Sequence, residues 1–221
     1  MEIELKYGTS PEVGMKLLED VAGRYGTDIE EIPMEAVYYD TSDGALREKR
    51  LTYRIRKEGG NYMLTIKYGK GSDKEKKGLH RREEINIPVS EDFREKPGID
   101  VLDDTPVYRE FDKAVGGQYS DSLGIMLPLK PLIPKIIMEF TRYEVRIPIS
   151  DDKKTTAALS YDEGIIRAGD GETGISEVEI ELLEGSEEDL IRFGADLSQK
   201  YVLTPMNKSK YSRGLKLLGE K

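Results

Sequence analysis

Residues 2–6 alternate, with charged Glu2, Glu4 and Lys6 at one parity and apolar Ile3 and Leu5 at the other. Successive side chains of a strand point to opposite faces, so this period of two predicts a strand with one charged and one apolar face. The pattern predicts further strands at MEAVYYDT (34–41), RLTYRIRKE (50–58), NYMLTIKYG (61–69), LHRREEINIPV (79–89), KIIMEFTRYEVRIPI (135–149), TTAALSYDEG (155–164) and SEVEIELLEG (176–185), with a short IIRAG between the last two. Gly59, Gly60 and Asn61 predict a hairpin between the 50–58 and 61–69 strands. Elsewhere the period changes to that of a helix. Thr9 or Ser10 is a cap, Pro11 and Glu12 fill the first turn, Val13, Leu17, Leu18 and Val21 form an apolar stripe, and Gly26 is the stop. A second helix follows the Ser186 cap, with three acids in its first turn and Leu190, Phe193 and Leu197 on one face. A last helix, roughly 207–218, carries Lys208, Lys210, Arg213 and Lys216.

Two stretches have neither period. Residues 69–78 are a lysine- and glycine-rich loop, and 90–132 are irregular apart from a helix suggested by DDTPVYREFDKAVGGQY that ends at Gly116-Gly117. About eight mostly sequential strands with helices at intervals predict an α+β fold. Its antiparallel sheet curls or closes on itself, with the helices outside.

Sorting the strands by parity separates two faces. The apolar face holds Ile3, Leu5, Tyr53, Ile55, Leu64, Ile66, Ile85, Ile87, Tyr143, Val145, Ile147, Leu159, Tyr161, Val178, Ile180 and Leu182. The other holds Glu2, Glu4, Lys6, Arg54, Arg56, Thr65, Lys67, Arg82, Glu84, Arg142, Glu144, Arg146, Asp162, Glu177, Glu179 and Glu181. A sheet with one face in water would also alternate. Against that reading, like charges repeat within a strand, as in EIE, RIR and EVEIE. Side chains at i and i+2 stand roughly 6.5–7 Å apart, where repulsion is about 2.5 kcal/mol at an effective dielectric of 20 and under about 1 kcal/mol in water. Inside a closed sheet such pairs need compensation. A divalent cation supplies it for the carboxylates, and phosphate oxygens supply it for the arginines.

Composition narrows the ligands. The 221 residues contain no cysteine and one histidine, which leaves carboxylates as the plentiful metal donors and points to a hard cation, Mg²⁺ or Mn²⁺. Arg54, Arg56, Arg82 and Arg142 on one face suit a ligand with several phosphates, because the guanidinium fork matches phosphate oxygens. No GxxxxGK[ST] loop or GxGxxG turn is present, so the grip must come from side chains. A net charge of −9 speaks against a nucleic-acid surface. No apolar run is long enough to span a bilayer, and the N-terminus lacks the order of a signal peptide, so a cytoplasmic protein without a membrane partner is expected. One domain over 1–221 is expected, and a homodimer would be unexceptional. His80 reads as a loop or strand-edge residue. Tyr38, Tyr39, Tyr53, Tyr62 and Tyr143 read as packing residues, and Glu187, Glu188 and Asp189 as cap and dipole residues.

The ExExK of Glu2, Glu4 and Lys6, followed in order by YYDTSD (38–43), RIR (54–56), TIK (65–67), GLHRREE (78–84), FTR (140–142), SYDEG (160–164), EVEIELL (177–183) and SKYSRG (209–214), resembles the CYTH superfamily of triphosphate tunnel metalloenzymes. The GLH and EVEIELLEG segments look most like its bacterial inorganic triphosphatase branch. The resemblance covers nearly the whole chain and is poorest over 90–132. It implies an eight-stranded antiparallel closed β-barrel, a tunnel with helices packed outside and a C-terminal plug helix.

By motif match, Lys6, Arg54, Arg56, Lys67, Arg82 and Arg142 would bind phosphates, and Lys210 would reach in from the plug, although a solvated Lys210 on a basic helix is an equal reading. Glu2, Glu4, Asp162, Glu177 and Glu179 would hold or orient the metal; Glu84, Glu144, Arg146 and Glu181 share the face without an assigned role. Glu2, Glu4, Lys6 and Arg56 would form the catalytic group. The implied activity is metal-dependent hydrolysis of a triphosphate, inorganic triphosphate first. A class IV adenylate cyclase, a thiamine triphosphatase and a noncatalytic polyphosphate- or nucleotide-binding protein are the alternatives.

Overall fold

A computed structural model describes residues 2–48, 50–68, 78–95, 97 and 132–220. Of the predicted 69–78 loop only Gly78 is described, and the helix predicted to end at Gly116-Gly117 lies outside the described residues. The strands are β1 (Glu2–Gly8), β2 (Glu30–Asp40), β3 (Thr52–Glu58), β4 (Asn61–Tyr68), β5 (Leu79–Val89), β6 (Ile133–Pro148), β7 (Thr156–Ala168), β8 (Gly171–Glu184) and the two-residue β9 (Thr204–Pro205). The helices are α1 (Pro11–Tyr25), α2 (Ala45–Glu48), α3 (Glu91–Glu95), α4 (Glu187–Tyr201) and α5 (Lys210–Leu217).

The strands form a curled antiparallel sheet in the order β5-β4-β3-β2-β6-β7-β8-β1-β9. β5 also pairs with β1, setting Glu2 opposite Arg82 and Glu4 opposite His80. Each described strand of the predicted set is present, with some boundaries shifted. β2 begins at Glu30, because residues 30–33 pair with the middle of β6. TTAALSYDEG and IIRAG are one strand, since Gly164–Ala168 continue the β6 and β8 ladders without a break. α5 starts at Lys210, where the Ser209 side chain accepts from the Ser212 amide at 3.1 Å.

Parity assigns the cores as expected. On the outer face, α1 and α4 cover β1, β6, β7 and β8 through Leu17, Leu18, Val21, Leu190, Phe193 and Leu197 against Leu5, Leu159, Tyr161, Val178 and Ile180. α1 is held at one end by Ser10, which caps the Val13 amide, and at the other by Gly26 in a left-handed conformation. A second outer cluster joins Val37, Tyr39, Tyr53, Ile55, Leu64, Ile66 and Ile87 to Leu46 and Leu51. A third cluster lies on the opposite, cavity side: Ala36, Tyr38, Ile136, Met138, Ile166 and Ile175 pack against Leu215 of α5. The approach there is close, because a Cβ on Gly214 would lie 2.5 Å from Ile136 Cγ2. Among the described residues no helix is long and apolar enough to cross a membrane.

Candidate active site

The charged parity face lines a cavity of about 1180 Å³. Its wall contains Glu2, Glu4, Lys6, Arg54, Arg56, Lys67, Glu84, Arg142, Glu179, Glu181 and Lys210, so most of the residues singled out by alternation meet in one place. Arg82 stands opposite Glu2 in the β1–β5 register, and its side chain lies outside the described residues. Glu144 and Arg146 are not in the wall. Arg146 is largely exposed and donates to Glu144 at 2.9 Å, and this pair sits toward the far end of β6.

The cations fall into two groups. Lys6 pairs with Glu179 and, at 2.9 Å, with Glu4. Burial pulls its ammonium down, but Glu179, then Glu4 and Glu177, outweigh burial and hold it raised. Lys67 pairs with Glu2 and, at 2.8 Å, with Glu84. Burial raises the Glu84 carboxyl, while Lys67 and Asn86 oppose that and bring it down to about 2. Arg142 forks onto Asp162 through two bonds of 2.8 Å and reaches Glu179 at 2.6 Å.

Arg54 and Arg56 are different. Arg54 bonds Thr65 Oγ1 at 3.2 Å and lies over the Tyr38 ring at 5.9 Å, while Arg56, among the described residues, pairs only with Glu58 at the strand end, at 3.1 Å. Both Nε atoms are buried without a hydrogen-bond partner among the described residues. Burial, with the neighbouring Arg54 charge next, lowers the Arg56 guanidinium below its ordinary value. Two cations forced together in a buried wall, with donors unspent, are an arrangement that an anion would complete.

The acids also divide. Asp162, Glu177 and Glu179 bring carboxylate oxygens within 4.8 Å of one another, a group that could hold a metal ion. They also receive Lys210, which bonds Glu177 and reaches Asp162 at 2.7 Å and Glu179 at 2.9 Å. Arg213 adds a further bond to Glu177. Lys210 is therefore buried in an ion network, and the solvated reading of it is corrected: the Ser209 cap turns the first residue of α5 toward β7 and β8. Burial raises Glu179, but Lys210, Lys6 and Arg142 outweigh it and hold Glu179 well below the carboxylate range. Glu181 has no ion pair among the described residues. Burial, followed by the charges of Glu2 and Glu4, pushes it up to about 7.

The sequence reading missed part of the wall. Tyr38 does not pack on the outer core; it has the parity of Ala36 and Met34, faces the cavity and stacks on Tyr211 of α5 with centroids 4.9 Å apart. Its neighbours on β2 signal this, because Val37 and Tyr39 take the outer positions. His80 is buried within β5 and lines the cavity, and its Nε2 lies 2.9 Å from the Met206 carbonyl. Met34, Met138, Phe140 and Leu215 give the cavity an apolar side. Tyr39, Tyr53 and Tyr62 pack in the outer cluster and Tyr143 against the first core, as expected.

A family model for the CYTH domain matches residues 1–215. The chain is 31% identical over 220 residues to an inorganic triphosphatase of Haemophilus influenzae, covering all of this chain and 55% of that protein. The chain thus spans about half the length of that relative. Among solved structures, it superposes with a TM-score of 0.65 and 18% identity on an adenylyl cyclase candidate from Hippeastrum described as having a dominant triphosphatase activity, over 100% of this chain and 97% of that one. An adenylate cyclase candidate from Bacillus halodurans gives 0.57 and 17%, over 95% and 94%. At these identities the two structures speak for the fold, while the family match spans nearly every residue: the chain belongs to the CYTH domain family.

Proposed function

We propose that this chain hydrolyses a triphosphate, in the first place inorganic triphosphate to pyrophosphate and phosphate, inside a tunnel closed by the β1–β5 pairing and plugged by α5. The observation that carries the reading is the opposition of Arg54 and Arg56, buried with unspent donors, to the carboxylates of Glu2, Glu4 and Glu181 across one cavity. The inorganic triphosphatase relative supports the choice of substrate.

The donor set fits a hard divalent cation. Glu2, Glu4 and Glu181 are all carboxylates, and Glu181, raised by burial and then by Glu2 and Glu4, has no cation partner among the described residues, which supports this side as the one a cation would occupy. Mg²⁺ or Mn²⁺ held by Glu2, Glu4 and Glu181, with Glu179 beside them, would screen phosphate charge and make a bound water more acidic. Asp162 and Glu177 act one step back. Through Lys210 and Arg142 they orient the groups that face the substrate.

Arg54, Arg56, Arg142, Lys67 and Arg82 bind the phosphate oxygens and stabilise charge on the transferred phosphoryl group, with Lys6 between the acidic and basic sides. Water attacks the terminal phosphorus in line, the bridging P–O bond breaks, and pyrophosphate leaves. No covalent nucleophile is required.

A second reading is favoured by one feature, the apolar side formed by Met34, Met138, Phe140 and Leu215, which inorganic triphosphate would leave uncovered. An organic triphosphate would cover it, as in a class IV adenylate cyclase or a thiamine triphosphatase. Incubation with triphosphate, ATP and thiamine triphosphate in Mg²⁺ or Mn²⁺ decides between them by product. Phosphate with pyrophosphate from triphosphate supports the first reading, cyclic AMP from ATP the second, and binding without turnover a noncatalytic protein.

A further inference from the structure

Arg50 sits where a glycine is the usual choice. α2 ends in a Schellman arrangement: the Leu51 amide donates to the Leu46 carbonyl at 3.0 Å and the Arg50 amide to the Arg47 carbonyl at 2.8 Å. The residue between these bonds must adopt the left-handed conformation, and Arg50 does so with φ of 58°. Strain alone does not mark a function. Val202 holds the same kind of position at the end of α4 and points into solvent, 88% exposed. Arg50 differs because its side chain reaches the wall of the cavity.

Its backbone is held by buried neighbours, and its side chain is exposed. Leu46 and Leu51 on either side are buried in the outer core, and Asp40 caps α2 through the Leu46 and Arg47 amides at 2.9 and 3.2 Å. Arg47 pairs with Glu220 beyond the end of α5. Arg50 shares the cavity wall with Thr52, Arg54 and Arg56 of β3. Among the described residues, Arg50 and Arg54 are the lining cations without a carboxylate partner. The turn therefore sets an exposed guanidinium, unpaired among the described residues, in the cavity lining just before β3.

We infer that Arg50 is a further substrate-binding residue, gripping the phosphates that extend toward the start of β3. This rests on the triphosphatase reading, since it takes a polyphosphate anion as the ligand. A guanidinium fork there adds affinity without touching the transferred phosphoryl group, so it acts on binding rather than on the chemical step.

The test is Arg50→Gly, which removes the fork and suits the backbone, beside Arg50→Lys, which keeps charge without the fork. Thermal melting, calorimetric Kd for inorganic triphosphate and steady-state kinetics with Mg²⁺ are read on both and on the wild type. Expected for Arg50→Gly are an unchanged or raised Tm, a Kd and KM about tenfold higher, and kcat within about twofold, with Arg50→Lys intermediate. A KM and Kd equal to wild type in Arg50→Gly overturn the assignment. So does a fall in kcat at unchanged KM. Should the wild type bind triphosphate without turning it over, the functional reading falls and the Kd comparison still decides the role of Arg50. Should it neither bind nor turn over triphosphate, both fall.

Discussion

Glu4 and Glu181 stand at partner positions on β1 and β8, two carboxylates facing the same cavity with Lys6 beside them already shared with Glu179. Glu181 responds by holding its proton up to about 7, through burial first and then through Glu2 and Glu4. An acid raised on folding favours the folded state while it is protonated. Its contribution is complete below the ordinary value of 4.5 and is lost as pH rises through about 7.

Metal-free protein should therefore lose up to about 3 kcal/mol of stability from this group between those two limits. Glu84, brought down to about 2, acts in a separate window: its contribution is present above 4.5 and is lost as pH falls toward 2. Glu181→Gln should flatten the slope between about pH 5 and about pH 8 in chelator-treated samples. Denaturant titrations across that range check this, and parallel slopes for variant and wild type would count against it.

Arg56 is unfavourably placed in the free protein, next to Arg54 and with its Nε unpartnered among the described residues. Arg56→Ala should abolish turnover, weaken triphosphate binding by at least about tenfold and leave Tm unchanged or higher. A variant that melts well below wild type would show that Arg56 holds the fold and not the ligand.

Lys210 compensates three buried carboxylates, Asp162, Glu177 and Glu179. Removing a partner from a buried ion network leaves charge behind, at a cost of about 3–5 kcal/mol. Lys210→Met should lower stability by that order, and adding Asp162→Asn should recover part of the loss. Equal stability of the single and double variants in chemical denaturation would refute the coupling.

How α5 seats on the sheet gives a steric counterpart. Gly214 lies in the helix interior, where alanine would ordinarily favour the helix. Here the added Cβ meets Ile136 Cγ2 at 2.5 Å and Cδ1 at 2.7 Å, and Ile136 is fully buried. Gly214→Ala should therefore cost about 1–3 kcal/mol and reduce turnover by moving Lys210. A more stable variant with full activity would show that α5 can shift without consequence.

Most of this site was legible because a strand repeats every two residues: once RIR, EIE and EVEIE are strands, Arg54, Arg56, Glu2, Glu4 and Glu179 must share a face. The cores followed by the same rule. The partner of Lys210 was not legible, because the Ser209 cap and the turn before α5 fix its direction and no periodicity encodes a turn across 31 residues to Glu179. Tyr38 packs in a core cluster as expected, but its place in the cavity wall was not legible, because two adjacent tyrosines look alike in sequence while the pleat sends them to opposite faces. Arg50 escaped although it opened the predicted 50–58 strand with the parity of Arg54 and Arg56; the structure instead places it in the left-handed turn before β3. Glu181 had parity but no role until its neighbours Glu2 and Glu4 supplied one.

The carboxylate opposition at Glu4 also predicts how metal acts on the fold. If Mg²⁺ or Mn²⁺ is held by Glu2, Glu4 and Glu181, binding removes their mutual repulsion and stabilises the folded state by mass action, about 2.7 kcal/mol at one hundred times Kd. Wild-type Tm should then rise on adding either ion and fall with a chelator, in the absence of any substrate. Glu4→Ala should remove both the rise and the turnover while leaving the protein folded, because Lys6 keeps Glu179 as its partner. Asp162→Asn should retain the rise, since that carboxylate is occupied by Arg142 and Lys210. If instead the metal-induced shift is lost in Asp162→Asn and kept in Glu4→Ala, the cation is held by the Asp162, Glu177 and Glu179 group.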